Sequence, residues 1–123
     1  RRWLEQLVHP IVRQRFDQEL MRLATRPAVV LMIPLLFESG LQALCTETWL
    51  VDCDESQQLQ RLMARDHLSQ EQAKTRINSQ LPLSYKRNLA DIVINNKTTD
   101  SALAKELEDA LTNKTISRTR RKN

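Results

Sequence analysis

Arg61 and Arg65 stand four residues apart and so share one face of a helix. Arg76, and then Lys86 and Arg87, follow on the next two helical patterns. Several cations around a polar helix pair could clamp phosphate groups. A guanidinium grips phosphate oxygens with two donors at once and keeps its charge at any physiological pH. The same residues also fit a solvated surface with ordinary helix pairs such as Glu71 with Lys74. A second candidate is His9-Pro10, with Arg13 one helical turn beyond the imidazole, a pair suited to an anionic or hydroxyl-bearing ligand or simply to a structural histidine. A third is Glu38, which follows Pro34-Leu35-Leu36-Phe37 just past a run that reads as a buried strand. Ligands of open α/β sheets gather at such strand ends, where a carboxylate could orient a hydroxyl, hold a metal or pair with a cation, or be a plain loop acid. Asn95-Asn96 follows another strand-like run, where a loop could hold a base through backbone groups or be an ordinary turn. Spacing reveals no Ser-His-Asp arrangement, metal cluster or amphipathic membrane helix.

The elements that must position these groups alternate. Apolar residues from Leu4 to Leu23 recur at three- and four-residue steps and predict a helix over 3–23, kinked or divided at Pro10. Val29 to Ile33 predict a strand over 28–33, buried on both faces and stopped by Pro34. A short connection follows Gly40, and a second strand is expected over 48–53. Asp54 predicts the N-cap of a helix running to about Arg65. Ser69-Gln70-Glu71-Gln72 is a capping box that opens a helix over 70–80. Its apolar face is only Ala73 and Ile77, which suits a mobile element. Pro82 opens a short helix to about Leu89, Ile92-Val93-Ile94 a third strand, and Asp100 is expected to cap a last helix over 101–111. Strand–helix alternation with long crossovers implies an α/β fold with a parallel sheet.

The totals narrow the classes. At 123 residues the chain is one domain or part of one. An apolar fraction of 41% is enough for a core, and no run approaches the ~20 apolar residues of a membrane span. The single Gly rules out a Gly-rich phosphate loop within these residues. The net charge of +4 is uneven. Residues 112–123 hold Lys114, Arg118, Arg120, Arg121 and Lys122 and no acid, which leaves 14 basic residues against 15 acids in 1–111. The body is thus near neutral, and the basic tail reads as a disordered, solvated end. No aromatic is interleaved with its charges, which weighs against nucleic acid as a partner. Cys45 and Cys53 lack metal-ligand spacing; Cys53 reads as a small core residue, spacing leaves a disulfide open, and the chain reads as cytosolic. Arg1-Arg2-Trp3 enters the helical pattern at once, with neither an initiator Met nor a signal peptide, so residue 1 reads as other than the natural start.

Over residues 3–111 the sequence resembles the dephospho-coenzyme A kinase family. The resemblance is carried by Leu7-Val8-His9-Pro10-Ile11-Val12-Arg13, by Val30 to Glu38, and by Gln57 to Asp66. It continues in Ala73 to Gln80 with Arg76, and in Ala90-Asp91-Ile92-Val93-Ile94-Asn95-Asn96. It implies part of a P-loop kinase fold: three α/β/α layers around a parallel sheet, with a helical acceptor region and a lid. Within 1–111 it implies acceptor-region helices over 3–23, core strands within 28–53, a lid over about 61–89, and a last strand and helix over 91–111. The implied reaction moves the γ-phosphoryl group of ATP, with Mg²⁺, to the ribose 3′-hydroxyl of dephospho-coenzyme A, the last step of coenzyme A biosynthesis. By the same resemblance His9, Arg13, Phe37 and Glu38 face the acceptor substrate. Arg61 and Arg65 assist transfer, Arg65 and Arg76 reach the ATP phosphates, and Asn96 borders the adenine.

The chain departs from the family in two ways. The strand, phosphate loop, helix and catalytic Asp with which members begin are not here, and family order puts that strand between 28–33 and 48–53. Lys97 also stands where members commonly carry Gly after Asn, a position of left-handed backbone. The family reading is therefore of an N-terminally truncated kinase, inactive alone. The other reading is a degenerate binding module that uses the sheet or the basic tail. No oligomeric state follows from the sequence. Residues 1–123 in isolation should fold poorly and aggregate, because unpaired strand edges leave buried backbone groups unsatisfied at ~1–3 kcal/mol each. Calorimetry of the isolated polypeptide checks this, and a cooperative melt of a monomer would refute it.

Overall fold

A computed structural model describes the backbone of residues 2–122 and the side chains of residues 10–113. Contacts gather into two compact units, Arg1–Cys45 and Thr46–Asn123. The boundary thus falls within the stretch read as one domain, 1–111, and each unit is described by itself.

In the first unit, α1 (Arg2–Arg22) is one helix that runs through Pro10 without dividing. Glu19 accepts from Arg22 Nε at 2.8 Å and pairs with Arg15 at 3.2 Å, the three- and four-residue steps that bring helix side chains together. The strand expected over 28–33 does not form. The segment pairs with no neighbour among the described residues, and Val30 and Met32 are 82% and 88% exposed rather than buried. β-branched residues favour extended backbone, but a strand exists only where another strand takes up its N–H and C=O groups. Pro34 therefore has no strand to stop, and it enters a turn. Leu35 then takes a left-handed φ of 57° and turns the chain into α2 (Leu36–Ser39). Gly40, with φ of 73°, closes α2 and opens a 3-10 turn, Leu41–Leu44.

The second unit is built on β1 (Trp49–Asp52) and β2 (Ile92–Asn95), which pair in parallel with Trp49 opposite Ile92 and Asp52 opposite Asn95. The sheet therefore has two strands among the described residues instead of the three expected. Both ends of the pair are fastened. At the entry, the Thr48 carbonyl accepts from the Asp91 and Ile92 N–H groups at 2.9 and 3.2 Å. There, too, Asp91 Oδ2 accepts from the Thr48 N–H at 2.8 Å and from its hydroxyl at 3.3 Å. At the exit, the Asn96 N–H donates to the Asp52 carbonyl at 2.7 Å.

The crossover carries α3 (Glu55–Asp66), α4 (Gln70–Asn78) and α5 (Leu83–Leu89). Its start signals act as read. Asp54 and Gln57 form one capping box and Ser69 and Gln72 another, and Pro82 stands at the N-cap of α5. α6 (Asp100–Lys122) is longer than the expected 101–111, and its cap is Thr99 rather than Asp100. The Thr99 hydroxyl accepts from the Ala102 N–H at 3.1 Å, while Asp100 enters the first turn, where an acid still suits the positive end of the helix. Side chains of 114–123 lie outside the described residues, and with them the reading of the basic tail.

Among the described apolar residues, full burial is reached by Ala73 of α4 and Ile94 of β2. Cys45 and Cys53 are free thiols, half-buried, and desolvation pushes the Cys45 pKa up. No described helix is long and apolar enough to cross a membrane. Asp91→Ala should destabilise the second unit by about 1–2 kcal/mol, because it orphans the N–H of Thr48, a residue only 8% exposed. Urea denaturation of the whole native gene product measures this, and an unchanged midpoint would show that the entry bonds carry no net stability.

Candidate functional site

Parallel pairing places the carboxyl ends of both strands side by side, and of the expected residues Arg61, Arg87 and Asn96 are tied there. α3 leaves β1 through Cys53-Asp54 and passes the loop that follows β2. Two of its side chains hold that loop by backbone carbonyls. Gln57 Nε2 donates to the Lys97 carbonyl at 2.7 Å, and Arg61 Nη1 to the Asn96 carbonyl at 2.8 Å. Gln57 also closes its capping box, its Oε1 accepting from the Asp54 N–H at 3.1 Å, so one amide caps the helix and pins the loop. Lys97 Nζ adds an ion pair to Asp54 at 3.3 Å. Arg61 and Asn96, each expected from sequence, are thus brought together. Lys97 is not in the left-handed region. Its N–H is taken by Asn95 Oδ1 at 2.8 Å, an Asx turn that removes the need for Gly. The Asn95 N–H in turn donates to the Glu106 carboxylate of α6.

The second cluster sits where α3 meets α4. His67, with a left-handed φ of 54°, caps the end of α3 and begins the turn that leads to α4. Asp66 then faces arginines from both helices. Arg65 approaches it as a fork, Nε to Oδ1 at 2.9 Å and Nη2 to Oδ2 at 3.1 Å, and Arg76 Nη1 reaches Oδ2 at 2.6 Å. Arg65 and Arg76 are the two residues expected at the ATP phosphates. Arg76 also lines a shallow concavity of about 380 Å³ with Leu68, Glu71, Gln72 and Thr75. The Asp66 carboxyl is held below its ordinary value, first by the hydrogen bond from Arg65 and also by Arg76.

The third cluster was not foreseen as such. Arg87 of α5 donates through Nε to Asp52 Oδ2 at 2.8 Å and, at 3.4 Å, through Nη2 to the Cys53 carbonyl. Asp52 is 5% exposed at the end of β1, and its Oδ1 accepts no hydrogen bond among the described residues. The bond to Asp52 holds the Arg87 pKa above the usual guanidinium value. Lys86, grouped with Arg87 in the sequence, is buried rather than presented to solvent. The missed members Gln57, Asp66 and Asp52 had signals available: an N3 position in a capping box, an acid beside an arginine, and an acid ending a strand.

In the first unit Phe37 and Glu38 are half-buried in α2, and Arg13 is exposed on α1. His9 lies outside the residues whose side chains are described. Among the described residues no group of three or more His, Cys, Asp or Glu side chains gathers to hold a metal.

The second unit is a parallel α/β pair whose crossover carries Arg61, Arg65, Arg76 and Arg87, groups able to bind phosphate oxygens. Comparison with known proteins makes this specific. The dephospho-CoA kinase family profile matches residues 1–101, and the chain belongs to that family. A dephospho-CoA kinase of Synechococcus sp. (strain CC9605) is 67% identical over 97 residues, 79% of this chain and 47% of that protein. One from Trichormus variabilis is 51% identical over 111 residues, 90% of this chain and 56% of that protein. A crystal structure from Thermus thermophilus matches with a TM-score of 0.78 at 38% identity, covering 91% of this chain and 58% of the other. Dephospho-CoA kinase from Campylobacter jejuni matches with a TM-score of 0.67 at 28% identity, covering 95% and 59%. The fold is thus part of the P-loop kinase architecture, and the chain spans about half the length of the curated relatives it matches.

The lowered carboxyl pKa fixes a pH dependence. A depressed folded-state value means that the ionised cluster stabilises the α3–α4 turn fully above the ordinary 3.8 of an aspartate and loses that effect as pH falls through the lower value. Carboxyl-carbon NMR should place the Asp66 midpoint below 3.8, and a midpoint at or above it would mean the arginines do not hold the carboxylate in solution.

Proposed function

We propose that this chain, joined to a phosphate loop and a general base that its 123 residues do not contain, transfers the γ-phosphoryl group of ATP to the 3′-hydroxyl of dephospho-coenzyme A. The observation that carries this reading is the gathering of Arg65 and Arg76, from two different helices, on the Asp66 carboxylate. Phosphoryl transfer spreads negative charge over the equatorial oxygens of the moving group, and positioned guanidiniums stabilise that charge. Arg65 serves the transition state, with Arg61 assisting from the same helix face. Arg65 and Arg76 hold the ATP phosphates. Asn96, whose carbonyl is held by Arg61, borders the adenine.

The first unit receives the acceptor through His9, Arg13, Phe37 and Glu38. Its identity with dephospho-CoA kinases supports the assignment, because the stretch lies inside the matched 1–101. α4 belongs to a lid, and its sparse burial, with Ala73 as the buried residue, suits an element that opens and closes. Mg²⁺ accompanies ATP in this reading, carried mainly by the phosphates themselves. The described residues supply no cluster for it, so no step is assigned to a metal held by them.

The test is ATP-dependent formation of coenzyme A by the whole native gene product. Arg65→Gln should lower kcat by about 100-fold or more, the scale of losing one preorganised donor to a developing charge. Arg76→Gln should mainly raise the KM for ATP. Transfer to another nucleotide but not to dephospho-coenzyme A would replace the acceptor assignment. Full activity of Arg65→Gln would remove Arg65 from the site.

A further inference from the structure

Asp66 is an acid in the wrong place by local rules. It is the last residue of α3, where the helix presents its negative end and a cation is favoured. An acid that breaks a local preference is explained by what it holds, and Asp66 holds two guanidiniums. The arrangement has a direction. The Asp66 side chain is 28% exposed, whereas those of Arg65 and Arg76 are 73% and 55% exposed. The carboxylate is therefore the least exposed member of the cluster, covered in part by the two arginines that it holds.

A guanidinium carries five N–H donors. Asp66 takes two from Arg65 and one from Arg76, which leaves three on the first and four on the second. The two-point grip also fixes the plane of the Arg65 guanidinium, which a single contact would leave free to swing. An incoming polyanion can thus meet both arginines through these remaining donors. One negative charge against two positive ones leaves the cluster attractive to anions.

We infer that Asp66 is a positioning residue that joins Arg65 and Arg76 into one two-pronged clamp for the phosphates of a nucleoside triphosphate. This deepens the reading under Proposed function and rests on it for the identity of the ligand. The left-handed turn at His67 separates the two helices, and α4 beyond it brings Arg76 to the same carboxylate. Long exposed arginine side chains otherwise sample many rotamers, and the entropy lost on ordering them opposes binding. A carboxylate that orders both beforehand removes much of that opposition.

The experiment is a double-mutant cycle in the whole native gene product, read by calorimetric binding of ATP and of inorganic tripolyphosphate. Asp66→Asn keeps the shape and removes the charge. It should weaken binding of both probes by about tenfold, the equivalent of about 1.4 kcal/mol. Asp66→Glu should recover part of that loss. In an Arg76→Gln background, where the clamp has already lost one prong, Asp66→Asn should cost no more than about threefold. Equal losses in the two backgrounds would overturn the inference, because Asp66 would then act independently of Arg76. Unchanged or tighter binding by Asp66→Asn would overturn it too, since the acid would then merely compete with phosphate. A wild-type protein that binds tripolyphosphate but transfers nothing to dephospho-coenzyme A overturns the kinase reading alone. A flat cycle in an active kinase overturns the Asp66 inference alone.

Discussion

Two strands that run in the same direction cannot be joined by a tight turn, and the site in the second unit depends on that. Because Trp49–Asp52 pairs in parallel with Ile92–Asn95, the chain must travel from one end of the sheet back to the other between them. That journey is where α3, α4 and α5 lie, and with them Arg61, Arg65, Arg76 and Arg87. The same parallel sense puts the carboxyl ends of the strands together, so Asp52 at the end of β1 neighbours Asn95-Asn96 at the end of β2. An antiparallel pair would have placed them at opposite edges.

The crossover is bound to the strand ends by polar side chains more than by an apolar core. Arg87 ties α5 to Asp52, and Gln57 and Arg61 tie α3 to the carbonyls of Lys97 and Asn96. Helix α4 meets α3 through the Asp66 cluster and the burial of Ala73. Bonds of this kind behave unlike packed methyl groups. An exposed ion pair such as that of Arg65 with Asp66 contributes only ~0.2–1 kcal/mol to stability.

Exposure of large apolar side chains is the other side of that economy. Val30 and Met32 in the 28–33 segment, and Val51 and Val93 on the strands, are exposed. Such residues have strand-forming types without a neighbour among the described residues to cover them. The chain belongs to the dephospho-CoA kinase family and spans about half the length of the curated relatives it matches.

The helices of the second unit were legible in the sequence because their signals are local. Asp54 with Gln57, Ser69 with Gln72, and Pro82 each satisfy or avoid backbone donors within one turn, and no distant residue can overrule that easily. The candidate arginines were legible as well, since charge type and four-residue spacing belong to the chain itself. Tertiary structure decided what those residues pair with. Residues 28–33 have every local mark of a strand, yet a strand needs a partner's backbone, which local sequence does not contain. Thr99 displaced Asp100 as cap because the hydroxyl, not the acid, met the Ala102 N–H. Asn95 replaced the expected need for Gly after Asn96 by accepting from the Lys97 N–H. Asp66 and Asp52 are ordinary acids in the sequence. They became the anchors of the arginines only when a left-handed turn at His67 and a parallel strand pair brought residues 10 and 35 positions away to their carboxylates.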